Sequence, residues 1–408
     1  MAHSNVNKFE LGSTTVDLSA FEKELKEYPN RETVDELKNG FKNGFRIQFE
    51  GPRKLFISKN LPSANKAPDI VRQKIAKELE AGRVAGPFQT VPFSDFRVSP
   101  LGLVPKKQPG EYRLIHHLSY PEGDSINDYI DPEFCSVQYT RFDQAVKMIQ
   151  NLGKGALLGK ADIKNAFRLM IISPDDFSLL GFMFDGQYYF DRCLPFGLSY
   201  SCALWEKFAT FLHYAVRKSC TVGELEHYLD DFLFGGEAGT SHCQEMMISF
   251  FETCQKMGVP VADEKTEGPQ TIIVFLGFEL DSILMEVRIP NNKLMKLQHL
   301  IEEILCKSSI TLEVMQSLLG SLNFMCRAIV PGRPFCRRLI NATRGLTKPY
   351  HHIRISKAMR LDLQTWLKFF QSFNGISVFH DRYWLSNADL CLYTDSLASY
   401  GKGFGAYF

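Results

Sequence analysis

The sequence lacks the features of several specialised protein classes. Its 408 residues include no apolar run of about 18 residues, so no transmembrane helix is predicted. The N-terminus, through Lys8, lacks the apolar core of a secretory signal, which predicts an intracellular protein in the cytoplasm, the nucleus or both. The ten cysteines form no C-x-x-C pair, so most are predicted to be reduced core residues and no zinc site is indicated.

Net charge is also nearly absent. The formal charge is only +1, which by itself does not indicate a nucleic-acid-binding protein. The charges are unevenly placed, because nine Lys or Arg residues and no Asp or Glu lie between Arg327 and Arg360. Such a segment suits a phosphate backbone, which carries one charge per ~1.7 Å of duplex axis. The alternative is a solvated basic helix face.

Three acids stand out among the residues that are present. Asp162 follows an apolar run, and the adjacent Asp230 and Asp231 are bracketed by Tyr228-Leu229 and Phe232-Leu233-Phe234. This pattern predicts a strand and a tight hairpin. If both belong to one sheet, the acids can converge on two Mg²⁺ ions ~3.5–4 Å apart, the arrangement used for phosphoryl transfer by polymerases. Taken alone, an Asp-Asp pair could equally be a solvated turn.

Further motifs accompany the acids in a fixed order. The whole set is Ser99–Lys107, Tyr112–Pro121, Asp162–Leu169, Leu194–Ser199, His227–Phe234 and Phe275–Leu280. In these motifs the chain resembles reverse transcriptases, and within them those of the DIRS class of tyrosine-recombinase retrotransposons. The resemblance extends from about Pro87 through the thumb. It implies an α+β right-hand polymerase with fingers, a palm with an antiparallel sheet, and a helical thumb.

The resemblance and the local patterns divide the chain into five predicted parts. Helices are predicted at about Asp69–Arg83, after the Leu194–Ser199 motif, at Asn292–Cys306 and at Thr311–Cys326, from their apolar stripes. The predicted parts are an N-terminal extension (1–85), fingers and palm (86–290), a thumb (291–350), a connecting segment (351–385) and a truncated ribonuclease H-like start (386–408).

The family resemblance implies a role for each residue of the metal site. Asp162 and Asp230 are expected to bridge two Mg²⁺ ions, with Mn²⁺ as a possible substitute. Asp231 is expected to be the lesser ligand, and the Ile163 carbonyl an added one. Lys265 matches the position proposed to protonate the departing pyrophosphate, although an exposed lysine there would look the same.

The same resemblance implies a nucleotide site. Lys106 and Arg113 match the cation pair that holds the incoming triphosphate, unless they belong to a solvated hairpin. Phe167 occupies the position of the aromatic residue that excludes the ribose 2′-hydroxyl, although it could be only a core residue. Phe196 stands where many retroviral enzymes carry Gln, and Gly197 is expected to allow close backbone approach to the nucleotide.

Other residues are assigned by resemblance to the primer and template. Tyr228 and Gly277 are expected to line the primer end. Arg333, Arg337 and Arg338 are expected to contact the duplex. The implied partners are an RNA or DNA template with its primer, together with dNTPs. No membrane partner is expected, and the oligomeric state is left open.

The C-terminal residues resemble the first two strands of a ribonuclease H domain. The matching segments are Asp389–Ser396 and Gly401–Phe408, with Asp395 as the first metal-binding carboxylate. The other acids of that family fall outside the sequence, so no ribonuclease H activity is expected and the chain is interpreted as a fragment of a longer polyprotein. The alternative is a plain hairpin.

Three functions follow from these observations. The leading one is a retrotransposon reverse transcriptase, a DNA polymerase that copies RNA or DNA. An RNA-templated RNA polymerase is disfavoured by Phe167, since such an enzyme must admit the 2′-hydroxyl. A non-catalytic nucleic-acid-binding relic of a mobile element remains the alternative.

Overall fold

The computed structural model describes residues 8–106, 110–137, 139, 142–373, 375–379, 391, 393–396 and 404–407. They form two compact units. The first comprises the described residues of Met1–Met148 and Gly155–Ile273, and the second comprises those of Ile149–Lys154 and Val274–Phe408. Among the described residues, no helix has both the length and the apolar character needed to cross a membrane.

Eleven α-helices are present in the described residues. They are α1 (Leu18–Leu25), α2 (Arg31–Asn43), α3 (Pro62–Lys66), α4 (Pro68–Glu80), α5 (Phe142–Leu152), α6 (Ser201–Ser219), α7 (His242–Lys256), α8 (Asn291–Leu305), α9 (Leu312–Met325), α10 (Arg337–Ala342) and α11 (Lys357–Ser372). Short 3₁₀ turns lie at Asn127–Tyr129, Ala166–Leu169, Pro174–Leu179, Asp263–Lys265 and Val330–Cys336.

The strands form several small sheets rather than one large one. They are β1 (Phe56–Ile57), β2 (Val84–Phe88), β3 (Arg97–Val98), β4 (Leu101–Pro105), β5 (Tyr112–His116), β6 (Leu157–Asp162), β7 (Gly181–Phe184), β8 (Gln187–Asp191), β9 (Glu224–Tyr228), β10 (Asp231–Gly236), β11 (Glu267–Gln270), β12 (Ile272–Phe275), β13 (Phe278–Asp281), β14 (Glu286–Arg288), β15 (Ser309–Thr311), β16 (His352–Arg354), β17 (Ile376–Val378), β18 (Tyr393–Ser396) and β19 (Phe404–Tyr407).

A four-stranded antiparallel sheet of the first unit carries the three acids. Its strand order is β11-β6-β10-β9. The sequence explains its central hairpin, because β9 and β10 are separated by only Leu229 and Asp230, and Leu229 has a φ of 55°, as primed hairpin turns require. The predicted strand and hairpin around the acids are therefore confirmed.

The core of the first unit lies around α6. The predicted apolar stripe of this helix is buried, and Trp205 is a core residue as expected. Phe21 of α1 and Phe41 of α2 pack against Phe208 of α6, with ring centroids 5.9 and 5.6 Å away. Residues of α1 and α2 thus share the core that supports the palm motifs, and the predicted bounds of the N-terminal extension stay a prediction.

The second unit combines helices with short strands. Helices α8 and α9 lie within one residue of their predicted bounds at each end. Helix α9 is capped by Thr311, whose hydroxyl accepts a hydrogen bond from the Val314 amide at 3.4 Å. The strands of this unit form the sheets β12-β13-β14-β17 and β15-β16.

Two predicted hairpins are only partly covered by the described residues. Strands β4 and β5 pair from Leu101↔His116 to Pro105↔Tyr112, as predicted for the fingers hairpin, and its tip at 107–109 lies outside the described residues. At the C-terminus β18 pairs antiparallel with β19. The rest of the predicted ribonuclease H-like segment, including Asp389 and Gly401, lies outside the described residues, and so does the Asp395 side chain.

Candidate active site

The pairing of β6 with β10 brings the acids together. Asp162, the last residue of β6, is the direct cross-strand partner of Asp231, and Asp231 also pairs with Tyr228 of β9. Asp230 lies in the two-residue turn between these strands. The three acids therefore lie together at one end of the sheet, as the sequence predicted. Asp162 ends β6, Asp230 lies in the turn, and Asp231 begins β10.

Backbone hydrogen bonds fix the segment that follows Asp162. The Ile163 amide donates to the Asp230 carbonyl at 3.0 Å, and the Ala262 amide donates to the Asp162 carbonyl at 2.8 Å. The Lys164 amide donates to the Pro260 carbonyl at 2.8 Å. Asp162 is therefore held from both sides, and its side chain is only 11% exposed.

The acids repel one another in this enclosed position. Burial and the charge of Asp162 raise the pKa of Asp230 above its usual range. Burial, with the nearby charges of Asp230 and Asp162, raises the pKa of Asp231 to about 7. A cation placed among these carboxylates would relieve the repulsion, which is the electrostatic condition for a metal site.

Lys265 places a positive charge beside the three acids. Its Nζ donates to Asp162 Oδ1 at 2.8 Å. Burial acts to lower the pKa of Lys265, but the hydrogen bond and charge of Asp162, with the other two acids, raise it above its ordinary value. The predicted proton donor is thus placed at the acids and kept protonated.

The donor set suits magnesium, although the side chains do not form a complete cage. Within the described part of the chain, no group of three or more His, Cys, Asp or Glu side chains is arranged to hold a metal by itself. Carboxylate and carbonyl oxygens are hard ligands, and proteins usually bind Mg²⁺ through one or two carboxylates plus substrate phosphates. Asp162, Asp230 and Asp231 fit such a site, which the substrate would complete.

Beside the acids lies a cavity of about 440 Å³. Arg113, Phe167 and Phe196 line it together with Asp162 and Asp230. The Phe167 and Phe196 ring centroids are 5.4 Å apart, and the Arg113 guanidinium lies 5.3 Å from the Phe196 centroid. The structure thus brings together the predicted metal, triphosphate and sugar-selecting residues around one space of nucleotide size.

Two predicted nucleotide residues have partners within the chain. Lys106 also lines the cavity, and its Nζ donates to Glu111 Oε2 at 3.1 Å. Gly197 has a φ of +117°, and a Cβ there would lie 2.0 Å from the His116 carbonyl oxygen. The close approach to His116 by itself requires a glycine here, and the expected approach to the nucleotide stays a prediction.

The predicted primer and template residues are divided between the units. Tyr228 packs against Tyr139 in the first unit, with ring centroids 4.9 Å apart. Gly277 lies in the turn between β12 and β13 of the second unit, where its carbonyl accepts a hydrogen bond from Lys293 Nζ at 2.9 Å. Arg333 and Arg337 are exposed on the second unit.

Arg338 differs from its two neighbours. Its Nη1 donates to Asp362 Oδ1 at 2.6 Å, and Asp362 is only 3% exposed. Arg360 is also engaged, since its Nη2 donates to the Lys307 carbonyl at 2.5 Å. The basic segment therefore presents fewer free cations than its sequence suggested, because the acid that pairs with Arg338 lies just beyond it.

Sequence reasoning missed a buried ionic network on the floor of the cavity. Arg168, Asp191, His116 and Glu78 line the cavity, but no role was assigned to them. The signal available was a charged residue inside an apolar run, as in Ala166-Phe167-Arg168-Leu169. Such a residue indicates a buried ion pair, since an unpaired buried charge is costly.

Comparison with known proteins identifies the domain that holds this site. Residues 104–280 match the profile of the family described as reverse transcriptase (RNA-dependent DNA polymerase). This range contains all three acids, Lys265 and the predicted nucleotide residues. The chain therefore contains a reverse transcriptase domain.

Curated relatives are viral proteins, among them a polyprotein. The chain is 24% identical over 317 residues to the Gag-Pro-Pol polyprotein of Mason-Pfizer monkey virus, covering 74% of this chain and 16% of that protein. It is 28% identical over 166 residues to Protein P of duck hepatitis B virus, covering 40% of this chain and 20% of that protein. The chain thus spans a fifth or less of the length of these two relatives.

Solved structures share the fold. The foamy viral protease-reverse transcriptase in complex with double-stranded DNA gives a TM-score of 0.61 at 18% identity, covering 92% of this chain and 63% of that one. The same kind of protein in complex with an RNA/DNA hybrid gives 0.60 at 18% identity, covering 91% and 48%. The predicted α+β right-hand polymerase fold is confirmed.

Proposed function

We propose, from the reverse transcriptase domain at residues 104–280, that the chain is a DNA polymerase that copies RNA or DNA templates. The observation that carries the proposal is the cross-strand pairing of Asp162 with Asp231, with Asp230 in the turn between the strands. These acids adjoin a cavity lined by cations and aromatic rings. The reaction would add a deoxynucleotide to a primer 3′-hydroxyl and release pyrophosphate.

The acids would hold two Mg²⁺ ions, or Mn²⁺ in their place. Asp162 and Asp230 would be the main ligands, with Asp231 and the Ile163 carbonyl as lesser ones. When bound, such ions activate the attacking hydroxyl and neutralise charge on the triphosphate. Lys265, held protonated beside Asp162, would deliver a proton to the departing pyrophosphate.

The cavity would select and orient the incoming nucleotide. Arg113 and Lys106 would bind the triphosphate, where a guanidinium can grip phosphate in bidentate fashion and an ammonium acts as a point charge. Phe167, supported by Phe196, would fill the space of a ribose 2′-hydroxyl and so favour deoxynucleotides. Gly197 would shape this wall through its contact with His116.

The proposed macromolecular ligand is a nucleic-acid duplex. The foamy viral structures were solved with double-stranded DNA and with an RNA/DNA hybrid, and we propose the same two kinds of ligand for this chain. Tyr228 and Gly277 would line the primer end. Arg333 and Arg337 would contact phosphates, with Arg338 contributing less because Asp362 already holds it.

We assign the chain to a DIRS-like retrotransposon from the motifs of its sequence, acting in the cytoplasm or nucleus. The predicted division into fingers and palm, thumb (291–350), connecting segment (351–385) and ribonuclease H-like start (386–408) belongs to this proposal. The pairing of β18 with β19 supports the last of these parts.

The test is primer extension by the purified chain on a homopolymer RNA template with Mg²⁺. We expect extension by the wild type and a loss of at least about a hundredfold in Asp230→Asn, which removes a metal-binding charge and keeps the shape. The matched control is Asp263→Asn, an exposed acid near Lys265, which should extend normally. Duplex binding should be retained in all three proteins, as measured by fluorescence anisotropy.

Two results would contradict the proposal. Extension by Asp230→Asn within tenfold of the wild type would remove the metal assignment. Duplex binding by a folded wild type without any extension would favour the non-catalytic relic.

A further inference from the structure

Arg168 is a buried cation beneath the proposed nucleotide site. It directly follows Phe167 in the chain, lies in the 3₁₀ turn Ala166–Leu169 and is only 6% exposed. Its side chain lines the same cavity as Phe167 and Arg113. A guanidinium in this position has no access to bulk solvent, so its bonds must be made within the chain.

Two acids from separate elements neutralise Arg168. Its Nη1 lies 2.7 Å from Asp191 Oδ1 at the end of β8, and its Nη2 lies 2.9 Å from Glu78 Oε2 of α4. Burial acts to raise the pKa of Asp191, but Arg168 and His116 bring it below its ordinary value. Arg83 also pairs with Glu78, at 2.8 Å. The opposite edges of one planar guanidinium therefore join α4 to β8.

The same guanidinium holds the loop that carries Phe196. Arg168 Nη1 donates to the Cys193 carbonyl at 3.0 Å and contacts the Leu194 carbonyl at 3.4 Å. Phe196 follows two residues later. The residue beside Phe167 thus fixes the backbone leading to Phe196, the ring that Phe167 contacts.

The ion-pair network of Arg168 also extends to the strand of Arg113, through His116. The His116 Nδ1 lies 3.0 Å from Asp191 Oδ2, and its Nε2 lies 3.0 Å from the Gly181 carbonyl. The His116 amide donates to the Phe196 carbonyl at 3.2 Å. His116 ends β5, the strand that contains Arg113.

We propose that Arg168 is a positioning residue for nucleotide selection, which holds Phe167, Phe196 and the Arg113 strand at fixed separations around the cavity. This inference rests on the proposed polymerase function. Arg168 itself is expected to touch neither nucleotide nor metal. Its loss should let the walls shift relative to one another, which weakens nucleotide binding and the exclusion of the 2′-hydroxyl.

A second ion-pair network in the same unit, built on a buried carboxylate, provides a control. Asp176 is fully buried and pairs with Arg46 at 2.9 Å and with Arg53 at 2.7 Å. None of these three residues lines the cavity. Arg46→Lys therefore makes the same chemical change at a buried carboxylate without touching the proposed site.

The test compares Arg168→Lys with Arg46→Lys by steady-state kinetics on the full chain. A lysine keeps the positive charge near Asp191 and Glu78, but as a point charge it cannot span both acids and the Cys193 carbonyl. We expect the dNTP KM of Arg168→Lys to rise about tenfold and its preference for dNTPs over rNTPs to fall at least about threefold, since small misplacements of binding groups are costly. Duplex affinity should stay within about twofold, because contacts to the phosphate backbone of the duplex do not involve Arg168.

His116→Gln is the second variant, since it leaves both ion pairs of Arg168 in place. We expect a smaller rise in dNTP KM, of about threefold, because only the contact of His116 with Asp191 is weakened. Thermal unfolding of each variant verifies that it is folded. Arg46→Lys should lose stability while its KM and nucleotide preference stay at wild-type values.

Three outcomes would overturn the inference. One is that Arg168→Lys folds and has the KM and nucleotide preference of the wild type. If Arg168→Lys does not fold, the same result in His116→Gln overturns the inference. Another is an equal kinetic change in Arg46→Lys, which would reflect general loss of stability. A wild type that incorporates no nucleotide would refute the proposed function and this inference with it, whereas an active wild type with unaffected variants refutes the inference alone.

Discussion

At the scale of single residues, the contact between Phe167 and Phe196 defines how the cavity can distinguish sugars. The two rings are tilted by 48° with centroids 5.4 Å apart, so each limits the movement of the other. Phe167 is partly buried against the core, and its position depends on this neighbour. A residue held in this way can exclude a hydroxyl group sterically, whereas a mobile ring would give way.

We predict that Phe167→Val increases ribonucleotide incorporation relative to deoxynucleotide incorporation. Removing the ring opens the space of the 2′-hydroxyl, and discrimination should fall by about 1–3 kcal/mol, as for other steric pocket changes. The measurement is the ratio of kcat/KM for a dNTP and the matching rNTP. Phe88→Val is the control, since Phe88 is also partly buried against the core and stacks on Phe190 but does not line the cavity. An unchanged ratio in Phe167→Val would make Phe167 a core residue only.

Lys265 has two consequences for the acids that surround it. Its ammonium pairs with Asp162, and at the proposed metal site it would compete with a metal for the same carboxylate oxygen. The side chain is 57% exposed, so the pair is partly screened by water.

We predict that Lys265→Met binds Mn²⁺ more tightly although it polymerises more slowly. The half-saturating Mn²⁺ concentration should fall by about 1.4- to fivefold, the range for an exposed ion pair of about 0.2–1 kcal/mol. Thermal unfolding at increasing Mn²⁺ measures this, because a bound metal stabilises the folded state. Lys160→Met, which breaks a surface pair with Glu267 in the same sheet, should leave Mn²⁺ binding unchanged. Weaker binding in Lys265→Met would contradict the competition.

At the scale of elements, helix α10 begins with two arginines that make different contacts. Arg337 is exposed, and no ion-pair partner for it is present among the described residues. Arg338 is paired with the buried Asp362 of α11, and it therefore ties two helices together. Adjacent residues of one type thus differ in their contacts, and only Arg337 is left exposed for the proposed binding of phosphate.

We predict that Arg337→Ala weakens duplex binding, whereas Arg338→Ala mainly destabilises the fold. Loss of one phosphate contact should reduce the slope of log K against log salt by about 0.9 in Arg337→Ala. In Arg338→Ala the carboxylate of Asp362 is left buried without its partner, so the free energy of unfolding should fall. Anisotropy titrations at several salt concentrations and urea unfolding measure the two effects. Equal salt slopes in wild type and Arg337→Ala would remove Arg337 from the interface.

The elements also show how far the sequence could predict the structure. The hairpin at Asp230 and the helices α8 and α9 follow from turn chemistry and apolar periodicity, which act over a few residues. The bond from Arg168 to Glu78 joins residues 90 positions apart, and Asp362 lies 24 positions after Arg338. No local pattern specifies such pairs, because they depend on how distant elements pack. Asp162 and Asp231 are also distant in the sequence, and they were predicted to meet because their motifs follow the order of a reverse transcriptase palm.

At the scale of the whole molecule, the buried network makes stability depend on pH. The pKa of Asp191 is lower in the folded chain than its ordinary value, so the folded state favours the ionised carboxylate. This contribution is fully present above the unfolded pKa, about 3.9, and is lost as the pH falls through the folded pKa. Acid should therefore weaken the first unit by protonating Asp191.

We predict that Asp191→Asn lowers the free energy of unfolding by about 3–5 kcal/mol at pH 7, because Arg168 then lacks a charge partner. The difference from wild type should begin to shrink as the pH falls below about 4, because the unfolded carboxyl then binds a proton that the folded carboxyl still resists. Urea unfolding between pH 3 and pH 7 measures both effects. A difference that is constant across this range would show that the charge of Asp191 does not contribute.

The direct pairing of Asp162 with Asp231 also couples activity to folding. Side chains alternate between the two faces of a strand, so a shift of one residue between β6 and β10 would turn one of these acids away from the other. There is no intermediate register in which the acids are slightly misaligned. A molecule either has the palm sheet correctly paired or has no metal site. The specific activity of a preparation should therefore be proportional to its fraction of correctly folded molecules. Misfolded molecules should incorporate no nucleotides, correct or incorrect.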